Sequence, residues 1–67
     1  MRTVESRRVY FITEENGIAW AKGFWDYFDA YDFAIKCLIE DEGMTQIEAE
    51  KQIGATVFID YVDVDVE

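Results

Sequence analysis

The side chains of this 67-residue chain that are best suited to chemistry are its carboxylates. Fifteen Asp and Glu residues outnumber six Lys and Arg residues, which gives a formal net charge of −9 at pH 7. Residues 26–67 contain twelve of the acids and two of the bases, whereas residues 1–25 carry a net charge of +1. Carboxylates at close spacing can transfer protons, ligate cations or pair with Arg and Lys side chains of another protein.

Catalysis by these carboxylates is not predicted, because the groups that would complete an active site are missing from the sequence. The chain has no histidine, the commonest general base. Its four glycines are scattered and form no phosphate-binding loop. The single cysteine, Cys37, falls among the apolar residues of a predicted helix, where we expect a buried and unreactive thiol. We therefore expect neither enzyme activity nor a cofactor.

The acids near the end of the chain invite comparison with a calcium site. An EF-hand loop needs a glycine at its sixth position and a distant bidentate Glu, and the segment containing Asp60, Asp63, Asp65 and Glu67 has neither. On a β-strand, alternate side chains lie about 6.6–6.8 Å apart, too far to surround one ion without a bend. We expect no metal site.

The sign of the charge argues against nucleic acid as a direct partner, since phosphates are neutralised by clustered Lys and Arg. Only Arg2, Arg7 and Arg8 are grouped.

No apolar run approaches the roughly 20 residues of a membrane span or follows the basic N-terminus as in a signal peptide. One cysteine allows no intrachain disulfide, which favours a reducing compartment. We expect a cytoplasmic protein without a membrane partner, and an electropositive protein is the favoured binding partner. A surface that only maintains solubility is the alternative explanation of the acids.

A β-hairpin is predicted in the first third of the chain. The β-branched and aromatic residues 7–13 favour a strand, and residues 1–6 before it are a candidate flexible arm. Asn16-Gly17 is a strong signal for the hairpin turn. Residues 18–25 then predict the returning strand, with Ile18, Trp20 and Phe24 on one face.

Two helices are predicted after the hairpin. Asp29 has the chemistry of an N-cap, the apolar spacing predicts a helix over about Ala30–Glu42, and Gly43 suits its C-terminal cap. A Thr-x-x-Glu capping box at Thr45–Glu48 opens a second, shorter helix that extends to Ile53. The apolar stripe of the first helix consists of Ala30, Phe33, Ala34, Cys37 and Leu38.

A third strand is predicted over residues 55–61, and residues 62–67 continue it in strict alternation as an acidic strand end or tail. Val57 and Ile59 have the same parity as Asp63 and Asp65. We therefore expect either a change of the buried face near residues 60–61, for which a bulge would suffice, or departure of the tail from the sheet.

The order strand, strand, helix, helix, strand predicts one α+β domain over residues 1–67. It is a two-layer mini-domain in which both helices cover one face of a small, mainly antiparallel sheet. The second face stays open, and its candidate residues are Tyr10, Ile12, Trp25 and Tyr27.

In size, acidity and absence of catalytic groups, the chain resembles the small acidic inhibitors of phages and mobile elements, including anti-CRISPR and anti-restriction proteins that act as DNA mimics. The resemblance rests on the net charge and on the acids of residues 26–67. It implies a non-enzymatic inhibitor that blocks a basic, nucleic-acid-binding surface of its target.

We therefore predict a protein-binding module whose contacts surround the first helix and the last strand. Spaced carboxylates would pair with Arg and Lys of the partner, and exposed aromatic rings would anchor the contact. Self-association through the open sheet face or the last strand, as a homodimer, is the alternative. The predicted contact residues are Trp25, Tyr27, Asp29, Asp32, Glu40, Asp41, Glu42, Asp60, Asp63, Asp65 and Glu67.

Overall fold

The computed structural model describes residues 5–66. Its elements are β1 (Glu5–Glu14), β2 (Gly17–Ile18), α1 (Tyr27–Glu42), α2 (Gln46–Gln52) and β3 (Val57–Val66). The three strands form one antiparallel sheet in the order β2-β1-β3. The predicted α+β class and the predicted order of elements are confirmed.

The hairpin turn lies one residue earlier than predicted. Glu14 pairs with Gly17, so that Glu15 and Asn16 are the two loop residues. Neither has a positive φ, whereas Gly17 has a φ of 117°. A type I turn followed by a glycine gives this pattern. In such a turn Asn16 does not adopt the left-handed conformation that it would need in a turn centred on Asn-Gly.

The returning strand is much shorter than predicted, because residues 20–23 loop away from β1. The backbone N–H of Lys22 donates to the Trp20 carbonyl at 2.8 Å, and pairing with β1 resumes only at Phe24. The loop brings the rings of Trp20 and Phe24 against Phe33 of α1, with centroid distances of 6.0 and 5.2 Å. Ile18 lies on the opposite face of the sheet, so the predicted shared face is wrong.

Helix α1 begins one turn before the predicted start. Asp26 is its N-cap and accepts a hydrogen bond from the Phe28 N–H at 2.8 Å, so the assignment of the N-cap to Asp29 is wrong. The added turn brings Tyr27 against Tyr10 of β1, with ring centroids 5.8 Å apart. The predicted end is confirmed, with Gly43 in the left-handed conformation at φ 68°.

Helix α2 has the predicted capping box. The Glu48 N–H donates to Thr45 Oγ1, and the Thr45 N–H donates to Glu48 Oε1, both at 3.2 Å. The helix ends at Gln52, and Ile53, the predicted last residue, is its C-cap.

The core lies between the helices and one face of the sheet. It contains Ile12 and Val57 from the sheet, Ala34, Ile35 and Leu38 from α1, and Ala49 from α2. Ile12 is fully buried, and Tyr10 lies on the same side against α1, so neither belongs to the open face. Tyr27 also lies on the helical side. Of the four candidates for the open face, Trp25 remains.

The long strands pair without interruption, from Glu14 with Val57 to Glu5 with Val66. The buried face therefore does not change along β3, and no bulge is present in this ladder. Asp63 and Asp65 can share a face with the buried Val57 because the strands extend past the helices, in a molecule that measures 52 × 21 × 17 Å. Asp63 and Asp65 lie on the helical side of the sheet, but where no helix covers it.

Candidate partner-binding surface

The helical layer, defined here as residues 26–52, is the most acidic part of the molecule. It contains eight carboxylates and two lysines, a net charge of −6. All ten charged side chains are exposed. Because water surrounds them, their charges act outward on anything that approaches this side of the protein.

One stripe of α1 faces away from the core and contains Asp29, Asp32 and Glu40. Residues three and four positions apart are neighbours on a helix surface, and a rise of 1.5 Å per residue separates Asp29 from Glu40 by about 16 Å along the axis. Lys36 lies within this stripe. Among the side chains that the structure describes, however, the only ion pair joins Arg8 to Asp63 on the long strands. The carboxylates of the stripe are thus available to an external cation.

The last turn of α1 adds Glu40, Asp41 and Glu42, and contains no basic residue. The C-terminal end of a helix has a partial negative charge, so anions there are unfavourable for the isolated helix. Cationic side chains of a partner would make the interactions of these three carboxylates favourable.

Two aromatic residues stand at the other end of α1. Tyr27 is partly exposed and packs against Phe28, with ring centroids 5.6 Å apart. Phe28 is 71% exposed, the largest fraction among the exposed large hydrophobic residues of the described chain. Sequence reasoning missed Phe28, although its position two residues after Asp26 would have placed it in the first turn had the N-cap been assigned correctly.

Asp63 on β3 is engaged within the chain. Arg8 Nε donates to Asp63 Oδ1 at 3.1 Å, and the Arg8 guanidinium carbon lies 4.0 Å from the centre of the Tyr61 ring. The hydrogen bond to Asp63 raises the pKa of Arg8 above its ordinary value. Asp65 is exposed and pairs with Ser6 across the ladder. The remaining predicted acid of this strand end, Glu67, lies outside the described residues.

Asp60 and Trp25 lie on the open face of the sheet, away from the helical layer. Asp60 pairs with Phe11, and its Oδ1 accepts a hydrogen bond from the Tyr61 N–H at 2.8 Å. Trp25 is 57% exposed, and the Arg7 guanidinium carbon lies 4.2 Å from the centre of its ring. The predicted contact residues are therefore divided among the helical layer, the uncovered ends of the strands and the open face.

Cys37 is partly buried on α1, so the prediction of a buried thiol is only partly correct. Burial raises the pKa of its thiol, and the negative charges of Asp41 and Glu40 raise it further. A raised pKa lowers the fraction of reactive thiolate at neutral pH.

Residues 5–66 contain no pocket and no group of three or more potential metal ligands. Neither of the helices in that range is long and apolar enough to cross a membrane. Comparison of the chain with protein-family models, with curated proteins and with solved structures gave no significant match.

Proposed function

We propose that this chain is a non-enzymatic protein-binding module that inhibits a nucleic-acid-binding protein by occupying its electropositive surface. The observation that carries the proposal is the exposed, unpaired row of carboxylates on α1. In this mode of action, the helical layer takes the place of a phosphate backbone and accepts hydrogen bonds from Arg and Lys of the target. It is the mode of action of DNA-mimic inhibitors such as anti-CRISPR and anti-restriction proteins.

The density of the carboxylates supports this proposal. Five acids lie between Asp29 and Glu42, over about 20 Å of helix axis. That is an average of one carboxylate per about 4 Å of axis, compared with about 3.4 Å of axis per phosphate of one DNA strand; Asp29, Asp32 and Glu40 share one side of the helix, and Asp41 and Glu42 extend the acidic surface around its last turn. With Lys36 counted, the net density falls to one charge per about 5 Å, which still suits a row of cationic side chains.

The surroundings of the carboxylates provide a second element of recognition. Phe28 and Tyr27 lie beside Asp29 at the first turn of α1, and exposed aromatic rings are the residues that most often dominate binding energy. Long-range attraction would accelerate the encounter, and insertion of the rings would slow dissociation. The contact set proposed for the helical layer is Tyr27, Phe28, Asp29, Asp32, Glu40, Asp41 and Glu42.

The experiment is affinity capture from a lysate of the organism that encodes the chain, followed by identification of the captured protein and a nucleic-acid displacement assay. We expect the captured protein to bind nucleic acid and to release it when the chain is added. Its affinity should fall steeply with salt, because exposed charges are screened over about 8–10 Å at 0.1–0.15 M ionic strength.

A pair of matched variants locates the contact. Asp29→Asn with Asp32→Asn removes two negative charges from α1, and Glu14→Gln with Glu15→Gln removes two from the hairpin turn. The first double variant should bind more weakly with a reduced salt dependence, and the second should bind like the wild type. Equal binding by both, or capture of a protein that binds no nucleic acid, would refute the proposed function.

A further inference from the structure

The open face of the sheet carries an apolar surface that no helix or loop of residues 5–66 covers. The strand register identifies the residues on this face, and the position of Arg7 over Trp25 shows that Trp25 belongs to them. The exposed large residues on it are Ile18, Trp25, Phe58 and Val62, and the partly buried residues between them are Val9, Phe11, Thr13 and Val64. The proposed partner surface on α1 shares no residue with this face.

The surface area and shape of the chain show that it is less compact than expected for a monomer of its size. The accessible surface is 5106 Å², about 700 Å² more than expected for a compact monomer of 7.9 kDa. The radius of gyration is 14.0 Å, compared with about 11 Å for a compact domain of this length. A stable interface typically buries about 800 Å² on each partner, which is comparable to this excess.

The charge of the face favours a second copy of this chain over other occupants. Among the side chains that the structure describes, the charged ones on this face are Arg7 and Asp60, which have opposite charges. Each copy has a net charge of −9, so contact between two copies through an acidic surface would be repulsive. Contact through this face does not bring the acidic surfaces together.

The positions of the two charges are also self-complementary. Arg7 pairs with Val64 and Asp60 pairs with Phe11, and each of these pairs lies two residues from the pair formed by Val9 and Val62. A two-fold axis that crosses the Val9–Val62 pair at right angles to the strands brings Arg7 of each copy to the level of the other copy's Asp60. With two sheets about 10 Å apart, the long Arg side chain can reach that carboxylate.

Pairing through the edge of β3 is disfavoured by comparison. The Asp60 carboxylate already occupies the Tyr61 N–H that points to this edge. Asp63 and Asp65 add negative charges along the same edge, and charged residues on an edge strand oppose the addition of another strand.

We propose that two copies pack open face against open face as an isologous β-sandwich, with the helical layers on the outside. Central residues of this interface are Val9 and Val62, which lie at the two-fold axis, and Arg7 forms an ion pair with the second copy's Asp60. The helical layers stay free on the two outer sides.

Sedimentation equilibrium of the purified chain tests this arrangement. At about 0.15 M salt, over micromolar to millimolar concentration, the wild type should reach twice its monomer mass of 7.9 kDa. Val62→Lys should raise the dissociation constant of the dimer at least about 30-fold, since it places an unpaired charge at the centre of the interface. The matched control is Ile47→Lys on α2, which changes a residue that is 66% exposed and should leave the dimer intact.

A charge exchange provides a test that does not depend on the folding of one variant. Arg7→Glu alone and Asp60→Lys alone should each weaken the dimer, because like charges then meet across the two-fold axis. An equimolar mixture of the two variants should form a heterodimer that contains two ion pairs. One is the original pair between Arg7 and Asp60, and in the other the positive and negative charges are exchanged. A wild type that stays monomeric, a dimer that survives Val62→Lys, or two weakened variants that fail to combine would overturn the proposal.

Discussion

Helix α1 has two aspartates near its start that fit the same sequence pattern but occupy different structural positions. Asp26 is the N-cap and binds the Phe28 N–H at 2.8 Å, whereas Asp29 is exposed in the first turn. Replacement of Asp26 by Ala leaves that N–H without its partner and should cost about 0.5–2 kcal/mol. Replacement of Asp29 by Ala loses a favourable charge near the helix N-terminus, about 0.3–1 kcal/mol, but gains a comparable amount of helix propensity.

Urea unfolding followed by far-UV circular dichroism, at one fixed protein concentration, measures the difference between the two variants. A core of this size rarely supplies more than about 3–5 kcal/mol, so the loss in Asp26→Ala is a large fraction of the total. It should lower the melting temperature by about 4–8 °C per kcal/mol, and Asp29→Ala should change it little. Asp26→Ser keeps a capping oxygen and is the control. If Asp29→Ala destabilised the chain as much as Asp26→Ala, or if Asp26→Ser were no better than Asp26→Ala, the assignment of the cap would be wrong.

Three further perturbations test other parts of the fold. A double-mutant cycle with Arg8→Met and Asp63→Asn should give a small favourable coupling in unfolding experiments that disappears at high salt, and the absence of coupling at low salt would contradict the observed ion pair. Cys37 should react slowly with maleimide in the native protein and faster as the pH rises above the ordinary thiol value of about 8.5, because its raised pKa keeps the thiol protonated; rapid labelling at neutral pH would contradict this. Gly43→Ala should cost about 1–2 kcal/mol, since its φ of 68° is unfavourable for a side chain, and Gly43→Asn should cost less; equal stabilities of the two variants would argue against the left-handed cap.

The strongest local signals in the sequence predicted the elements correctly. The capping box of α2 and the glycine that ends α1 each depend on hydrogen bonds between residues close in sequence, and both are present as expected. The N-terminus of α1 was ambiguous because Asp26 and Asp29 both suit the capping position. The packing of Tyr27 on Tyr10 favours the longer helix, and a local sequence pattern does not predict this contact.

The errors in the sheet have a common physical origin in tertiary contacts. Alternation predicted a regular strand over residues 18–25 with Ile18, Trp20 and Phe24 on one face, but Ile18 pairs with Thr13 on the open face, whereas the rings of Trp20 and Phe24 pack on Phe33. The regular strand ends at Ile18, and the irregular backbone after it allows Ile18 and Trp20 to lie on opposite faces. For β3, alternation predicted either a change of the buried face near residues 60–61 or departure of the tail from the sheet, and the regular pairing as far as Val66 shows that both were wrong. The strand instead extends beyond α1, where Arg8 binds Asp63.

The proposed contact surface could be predicted only in part. Asp29, Asp32 and Glu40 fall on the polar face of α1 by helical periodicity alone, and the structure brings them into one exposed stripe. Asp63 could not be removed from the predicted set without the strand register, which places it directly opposite Arg8. Trp25 and Asp60 were grouped with the acids of α1 by the sequence, but they lie on the open face of the sheet.

The two proposals assign separate surfaces to separate partners. In the face-to-face dimer, both helical layers remain exposed, so that one dimer presents two rows of carboxylates on opposite sides. Loss of the dimer in Val62→Lys should therefore leave each row able to bind its target, with lower apparent affinity for a target that has two sites.

In the proposed function, the carboxylates of α1 form the surface that recognises cationic side chains. The change in backbone amide chemical shifts tests this when the isotope-labelled protein is titrated with an oligoarginine peptide at low and at physiological salt. We expect saturable changes concentrated in residues 26–32 and 40–42 that diminish as salt is added, with little change at Ile18 and Phe58 on the open face. Changes concentrated on β3, or spread evenly over all acidic residues, would contradict the claim.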